Sequence, residues 1–264
     1  MTRLLVVGGG RMGAALVGGL VRSGWARADE CAVVERRTEV RELLATRFDG
    51  LSVLEQPVPA ESVVLAVKPS DAESACSTLA PDSCERVLSV VAGVTIAMLG
   101  GWLWPGAPIV RAMPNTPALL GTSASAIAGG PTATDADLEW AESVLSSIGV
   151  VVRLPEHLLD AATGLSGSGP AYVFLVAEAL VEAGVLEGLD REVSRVLTVQ
   201  TILGAARMLT ESGESAEALR AAVTSPGGTT AAALRVLESR AVRAAFIDAV
   251  SASAARSRTL GAAH

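Results

Sequence analysis

The stretch LLVVGGGRMGAALVGGLV, Leu4 to Val21, decides the architecture of the amino-terminal half. Leu4 to Val7 is a short, unbroken apolar run, as expected of a strand covered on both faces. Gly8-Gly9-Gly10-Arg11-Met12-Gly13 follows, and then an apolar-periodic segment, Ala14 to Val21, that reads as a helix. Gly8 permits a tight turn. Gly10 lets the backbone approach a pyrophosphate, and Gly13 lets the helix pack closely on the strand. The helix amino terminus then faces the phosphates. This spacing occurs in many glycine-rich loops, but here a second apolar run, Cys31 to Val34, follows at the distance a dinucleotide-binding unit requires. Gly8, Gly10, Arg11, Met12 and Gly13 are therefore expected at a cofactor.

The second strand runs into Glu35-Arg36-Arg37. An acid about 20 residues past the glycines suits the ribose hydroxyls of NAD, whereas an arginine suits the 2′-phosphate of NADP. Both are present, so the residues leave the choice open, with Arg36 the phosphate candidate and Arg37 and Arg41 solvated helix charges. Three more apolar runs, Ser62 to Val67, Val87 to Val91 and Pro108 to Ala112, end in the loops KPS, AGVT and MPNTP. Ligands lie beyond the carboxyl ends of parallel strands, so these loops form the expected cofactor wall. Pro114-Asn115-Thr116-Pro117 reads equally as a structural turn or a nicotinamide contact. The chain has 20 arginines and one lysine, Lys68, placed directly after a strand. Its placement reads either as chance or, the preferred reading, as a spot that needs a compact ammonium rather than a planar fork. Asp135 to Ser147 reads as a helix and Val150 to Arg153 as a last strand.

These signals predict an α/β, Rossmann-like domain with a doubly wound, mainly parallel sheet over residues 1–155. A helical domain for substrate binding and dimerisation follows over residues 156–264. The boundary falls near Leu154-Pro155. In the second half Leu175, Ala179, Leu180 and Ala183 mark one apolar helix face, with Gly184 and Gly188 ending that helix. Asp190 is placed to cap a helix through REVSRVLTVQTILGAARMLT. Further helices cover Ser215 to Val223 and, as one or two, Thr229 to Ser257. Alanine pairs and triplets let these helices approach closely, and so much apolar surface on a thin helical set predicts a dimer.

Two interruptions share one grammar of hydroxyls, glycines and a proline: LSGSGPAY (Leu165 to Tyr172) and TSPGGTT (Thr224 to Thr230). In the second, Gly227 and Gly228 let backbone N–H groups converge, and a helix starting at Thr229-Thr230 adds its positive end. A small anion such as a carboxylate fits there. An ordinary capped helix connection fits equally well.

Composition narrows the classes. The formal net charge is -7 with no basic cluster, which speaks against a nucleic-acid partner. The run from Val87 to Leu99 is too short to span a bilayer. MTRLLVVGGGR does not read as a signal peptide. Cys31, Cys76 and Cys84 lack metal-like spacing and read as free thiols in a reducing compartment, so no metal is expected. Of the two histidines, His157 reads as a surface residue at a helix start.

The motifs VVGGGRMG, VVLAVKPS, VVAGVTI, VRAMPNTPAL, DAATGLSGSGPAYVFLVAEAL and LRAAVTSPGGTTAAALRVLE occur in order along nearly the whole chain. Together they resemble the bacterial pyrroline-5-carboxylate reductases. SGSGPAY and VTSPGGTT carry most of the specificity. The resemblance implies hydride transfer from NADPH, or NADH, to the C=N bond of Δ1-pyrroline-5-carboxylate, giving L-proline. It implies a cytoplasmic homodimer with intertwined domains, often built into a larger ring. By motif, Gly228, Thr229 and Thr230 would hold the substrate carboxylate. Thr230, the implied catalytic residue, would bond the ring nitrogen. Ser168, Gly169, Pro170, Ser225 and Gly227 would shape the pocket, and Ala66, Val67, Lys68, Pro69, Ala92, Gly93 and Asn115 would line the cofactor.

The chain departs from the family pattern at Ser123, often glycine, and at Val91, which is expected to alter the nicotinamide contact slightly. A reductase of another cyclic imino acid and a catalytically silent dinucleotide-binding protein are the alternative readings.

Overall fold

The structure, a computed structural model, describes residues 2–262. Its sheet has eight strands: β1 (Thr2–Val7), β2 (Cys31–Val34), β3 (Ser52–Leu54), β4 (Ala60–Leu65), β5 (Arg86–Ser89), β6 (Ile109–Met113), β7 (Ser123–Gly129) and β8 (Gly149–Arg153). They lie in the order β3-β2-β1-β4-β5-β6-β7-β8. All neighbours are parallel except β6 and β7. Helices α1 (Arg11–Arg22), α2 (Thr38–Arg47), α3 (Ala72–Cys76), α4 (Ile96–Trp102) and α5 (Asp135–Ser146) connect the strands, and α6 (Leu159–Ala162) follows β8. The expected doubly wound, mainly parallel sheet is present.

The alternation of side chains along β1 divides the core. Leu4 and Val6 face one buried cluster with Leu16 and Leu20 of α1 and Leu145 of α5. Leu5 and Val7 face the other, with Cys76, Leu99 and Leu159. Each fully buried leucine contributes about 2 kcal/mol from removal of apolar surface from water.

Two strands escape the sequence pattern. β3 is only three residues long, and β7, SASAIAG, is built from small residues that carry no strand signal. β7 is the antiparallel one, hydrogen-bonded at Ala112↔Ile127 and Val110↔Gly129. Val91 is buried in the core rather than facing the cleft, so its expected effect on the nicotinamide contact is withdrawn. All three cysteines are free and buried. His157 is exposed, in a short turn that starts the helical region.

Two compact units emerge: residues 2–168 with 251–262, and residues 169–250. The second is all helix, with α7 (Gly169–Leu186), α8 (Arg191–Glu211), α9 (Ala216–Ala222), α10 (Thr229–Ser239) and the first part of α11 (Val242–Ala262). Asp190 caps α8 as expected, accepting from the Glu192 N–H at 2.8 Å. Gly184 does not end α7. It lies inside the helix, where a Cβ would collide with the Ser194 side chain, and so lets α7 and α8 close together. Gly188, at φ +96°, makes the turn. The stretch around LSGSG is likewise no break. Thr163–Gly167 winds as a π-turn, with the Ser168 N–H donating to the Thr163 carbonyl at 2.8 Å. Such turns concentrate at functional sites.

No residue of α7 is buried within the protomer. Phe174, Leu175, Leu180, Leu197 and Leu203 are among the exposed large apolar side chains of α7 and α8. Contrary to the expectation from apolar runs, the helical stretch Glu156–Leu186 is long and apolar enough to cross a membrane by length and composition. Glu178 and Glu182 interrupt the run of letters without lowering the mean enough to exclude it.

Candidate active site

Strand register assembles the cleft. Val7 of β1 is level with Val34 of β2 and Leu65 of β4. Gly8, Glu35 and Ala66 therefore leave the sheet side by side, at the point where strand order reverses. The Gly8 N–H donates to Val34 O and the Ala66 N–H to Val7 O, both at 2.8 Å. Gly8 sits at φ +109°, and a Cβ there would come 2.5 Å from Ala66 O. A Cβ on Gly13 would strike the Gly8 carbonyl oxygen. Nothing lies within 4 Å of a Cβ built on Gly10.

Gly10 is the amino-terminal cap of α1 and offers no side-chain acceptor. The N–H groups of Arg11, Met12 and Gly13 thus form the open first turn. Gly8, Gly10, Glu35, Arg36 and Ala66–Lys68 line a cleft of about 460 Å³. Lys68 is exposed at its edge and forms no ion pair among the described residues. Pro69 begins the short turn after Lys68. An open helix terminus, a glycine approach and an unpaired ammonium fit a pyrophosphate, so a dinucleotide matches these residues.

At the end of β2, Glu35 is buried. Its carboxylate accepts from Gly9 N–H at 3.2 Å, and from Arg37 through the backbone N–H at 3.0 Å and Nε and Nη2 at 3.1 Å. Burial alone would raise its pKa. The bonds from Arg37 and Gly9 outweigh burial and hold it below the usual carboxylate range. Arg36 is exposed and pairs with Asp71 at 3.1 Å. Arg41 donates to the Glu35 and Arg36 carbonyls at 3.0 and 2.8 Å, which fixes the loop.

Ala92 is exposed, and Gly93 turns at φ +75° beneath Leu260 of α11. Asn115 is buried, and both ends of its amide serve the fold. Nδ2 donates to Ser166 O and Oδ1 accepts from Ala124 N–H, each at 3.0 Å. Its backbone N–H donates to Ser123 Oγ at 3.2 Å, so the departure at Ser123 adds an acceptor to this turn. The Ser166 carbonyl is open to Asn115 because Pro170, four residues on, has no N–H to offer it. Ser168 shares a hydrogen bond with Ser253 of α11 at 2.9 Å. Sequence reasoning missed Ser253, Arg111 and Glu156, which carry no local motif.

The substrate-loop residues lie in the second unit, where Gly169 and Pro170 begin α7. Gly227 takes φ +68°, and Gly228 caps α10 without a side-chain acceptor. The Gly228 N–H donates to Ser225 O at 3.0 Å, which closes the turn. Thr229 and Thr230 open the helix and have no carbonyl within it to bond their N–H groups. The Thr230 side chain is half-buried. The cofactor residues and Ser168 belong to the first unit.

A family described as "Pyrroline-5-carboxylate reductase dimerisation" matches residues 156–260. One described as "NADP oxidoreductase coenzyme F420-dependent" matches residues 3–93. The pyrroline-5-carboxylate reductase of Mycobacterium tuberculosis is 44% identical, over 98% of this chain and 97% of its own. That of Methanosarcina acetivorans is 39% identical, over 97% and 96%. Among solved structures, a pyrroline-5-carboxylate reductase from Coxiella burnetii superposes with a TM-score of 0.91 at 36% identity, covering 98% of both chains. The Plasmodium falciparum pyrroline carboxylate reductase with NADP bound gives 0.86 at 29%, again over 98% of both. With identities of 39–44% over nearly the whole length of both chains, this chain belongs to the pyrroline-5-carboxylate reductase family.

Proposed function

We propose that this chain reduces Δ1-pyrroline-5-carboxylate to L-proline with NADPH. The observation that carries the substrate assignment is the start of α10. Gly228 caps it with no side-chain acceptor, so the first N–H groups face outward from a positive helix end. Thr229 and Thr230 N–H hold the substrate carboxylate there. Ser225 and Gly227 set the turn, and Ser168, Gly169 and Pro170 shape the ring pocket. Thr230 Oγ1 hydrogen-bonds the ring nitrogen and orients the C=N bond. NADPH supplies the hydride that adds to C5, while the nitrogen of the protonated imine keeps its proton and becomes the amine. A protonated imine is already electrophilic, so position matters more than a strong acid, and scarcity of histidine is no obstacle.

Gly8, Gly10 and the Arg11–Gly13 N–H groups hold the pyrophosphate, helped by Lys68. Ala66, Val67 and Pro69 form one wall of the cofactor site. Ala92, Gly93 and Asn115 form the nicotinamide end, and Arg36 meets the 2′-phosphate. The cofactor domain closes near Leu154-Pro155, and the helical remainder supplies substrate binding and dimerisation. The exposed apolar faces of α7 and α8 are buried against a second copy rather than in lipid. The dimers assemble further into a ring in the cytoplasm, without nucleic acid.

The test is NADPH oxidation with and without the imine. Thr230→Val should fold and bind NADPH yet lose about 10–100-fold in kcat/KM. Wild-type rates in that variant would remove Thr230 from the mechanism. A folded wild type that binds NADPH but never oxidises it with the imine would overturn the reductase reading.

A further inference from the structure

The Rossmann-type acid at the end of β2 is present in this chain but is already occupied. A carboxylate has about four lone-pair sites. Glu35 uses four hydrogen bonds: one from Gly9 N–H and three from Arg37. The ribose diol of NAD needs an acceptor at this point, and none is left. Glu35 is also nearly buried, at the wall of the cleft that it lines.

The Arg37 side chain is exposed and lines the same cleft, but it is turned onto Glu35. Its fork holds both oxygens at 3.1 Å, a two-pronged geometry that only arginine provides. Its neighbour Arg36 is less firmly held. Arg36 is exposed, lines the same cleft and is held by one surface contact to Asp71 at 3.1 Å. A surface pair of this kind contributes little and exchanges readily for a phosphate.

We propose that Arg37 sets the cofactor preference by occupying Glu35, which otherwise would accept the ribose hydroxyls of NAD and repel the 2′-phosphate of NADP. Arg37 is a positioning residue, acting through Glu35, while Arg36 is the exchangeable phosphate ligand. This inference rests on the dinucleotide reading of the cleft and deepens it.

The test is calorimetric titration of the full-length protein with NAD+ and with NADP+, without imine. The variants are Arg37→Met, Arg37→Lys and the double variant Glu35→Gln/Arg37→Met. Arg37→Met should tighten NAD+ at least fivefold and weaken NADP+ at least tenfold. Adding Glu35→Gln should cancel the NAD+ gain and recover part of the NADP+ loss. Arg37→Lys keeps the charge but not the fork and should give a smaller shift in the same direction. If Arg37→Met fails to fold, Arg37→Lys carries the test.

Unchanged NAD+ affinity in whichever single variants fold overturns the proposal, because Arg37 then touches phosphate directly or only braces the loop. A wild type that binds neither dinucleotide overturns it too. Lack of imine turnover by a wild type that binds both bears only on the reductase reading, since the affinity ratios need no substrate.

Discussion

Arg111 of β6 and Glu156, 45 residues further on, meet at 3.0 Å inside the first unit. Arg111 is almost fully buried, and Glu156 is one-third exposed. The same Glu156 oxygen accepts the Ile96 N–H at the start of α4, at 2.7 Å. One carboxylate thus ties the turn that begins the helical region to β6 inside the sheet and to the helix after the AGVT loop.

Replacing Glu156 by leucine should destabilise the protein by about 3 kcal/mol, because a buried guanidinium is left without its counter-charge. Glu156→Gln keeps an acceptor and should lose only about 1–2 kcal/mol. Urea unfolding of the two variants checks the order. Equal losses would mean that the acceptor adds nothing beyond the charge at this junction.

Gly13→Ala should act on the cofactor. The new Cβ meets the Gly8 carbonyl, so α1 must shift from the glycine turn. A weakening of NADPH binding of about tenfold or more, roughly 1.4 kcal/mol, is expected by calorimetry. Gly24→Ala is the control. Its φ is +72° with open space around it, so it should lower stability by about 1 kcal/mol and leave cofactor affinity alone.

Glu35 links the cleft to pH. Its folded-state pKa is depressed, so its contribution to stability is complete above the ordinary carboxylate range and fades as pH falls through the lower folded value. Melting temperatures between pH 3 and 7 should show wild type and Glu35→Gln converging toward the acid end. The thiols work in the other direction. Burial pushes Cys31 and Cys76 up to about 11, so thiolate reagents at neutral pH should label them only after unfolding. Rapid labelling of the native protein would show that this region opens.

Leu180 is exposed on α7, none of whose residues is buried in the protomer. Leu180→Arg should shift the protein from dimer to monomer in sedimentation velocity. A dimer of wild-type strength would place the interface elsewhere.

The glycine spacing, the apolar runs of β1, β2 and β4 and the cap at Asp190 were readable directly, because each depends on neighbours a few residues apart. So was SPGGTT, where two glycines interrupt an alanine-rich helical region. β7 was not readable, since SASAIAG gains its strand character from pairing with β6. Gly184 was misread because a glycine required for helix contact looks the same in sequence as one that ends a helix.

Local chemistry thus carried the resemblance to the family and most of the order of elements, and it nominated residues for phosphate and carboxylate. Three-dimensional packing settled what those residues are free to do. Glu35 and Asn115 sit where the motifs put them, yet their polar atoms are already engaged by Arg37, Gly9, Ser166 and Ala124. The reason is physical: a motif fixes which groups are near the ligand, but a buried polar group must first satisfy its neighbours, and only the folded arrangement decides which neighbours those are.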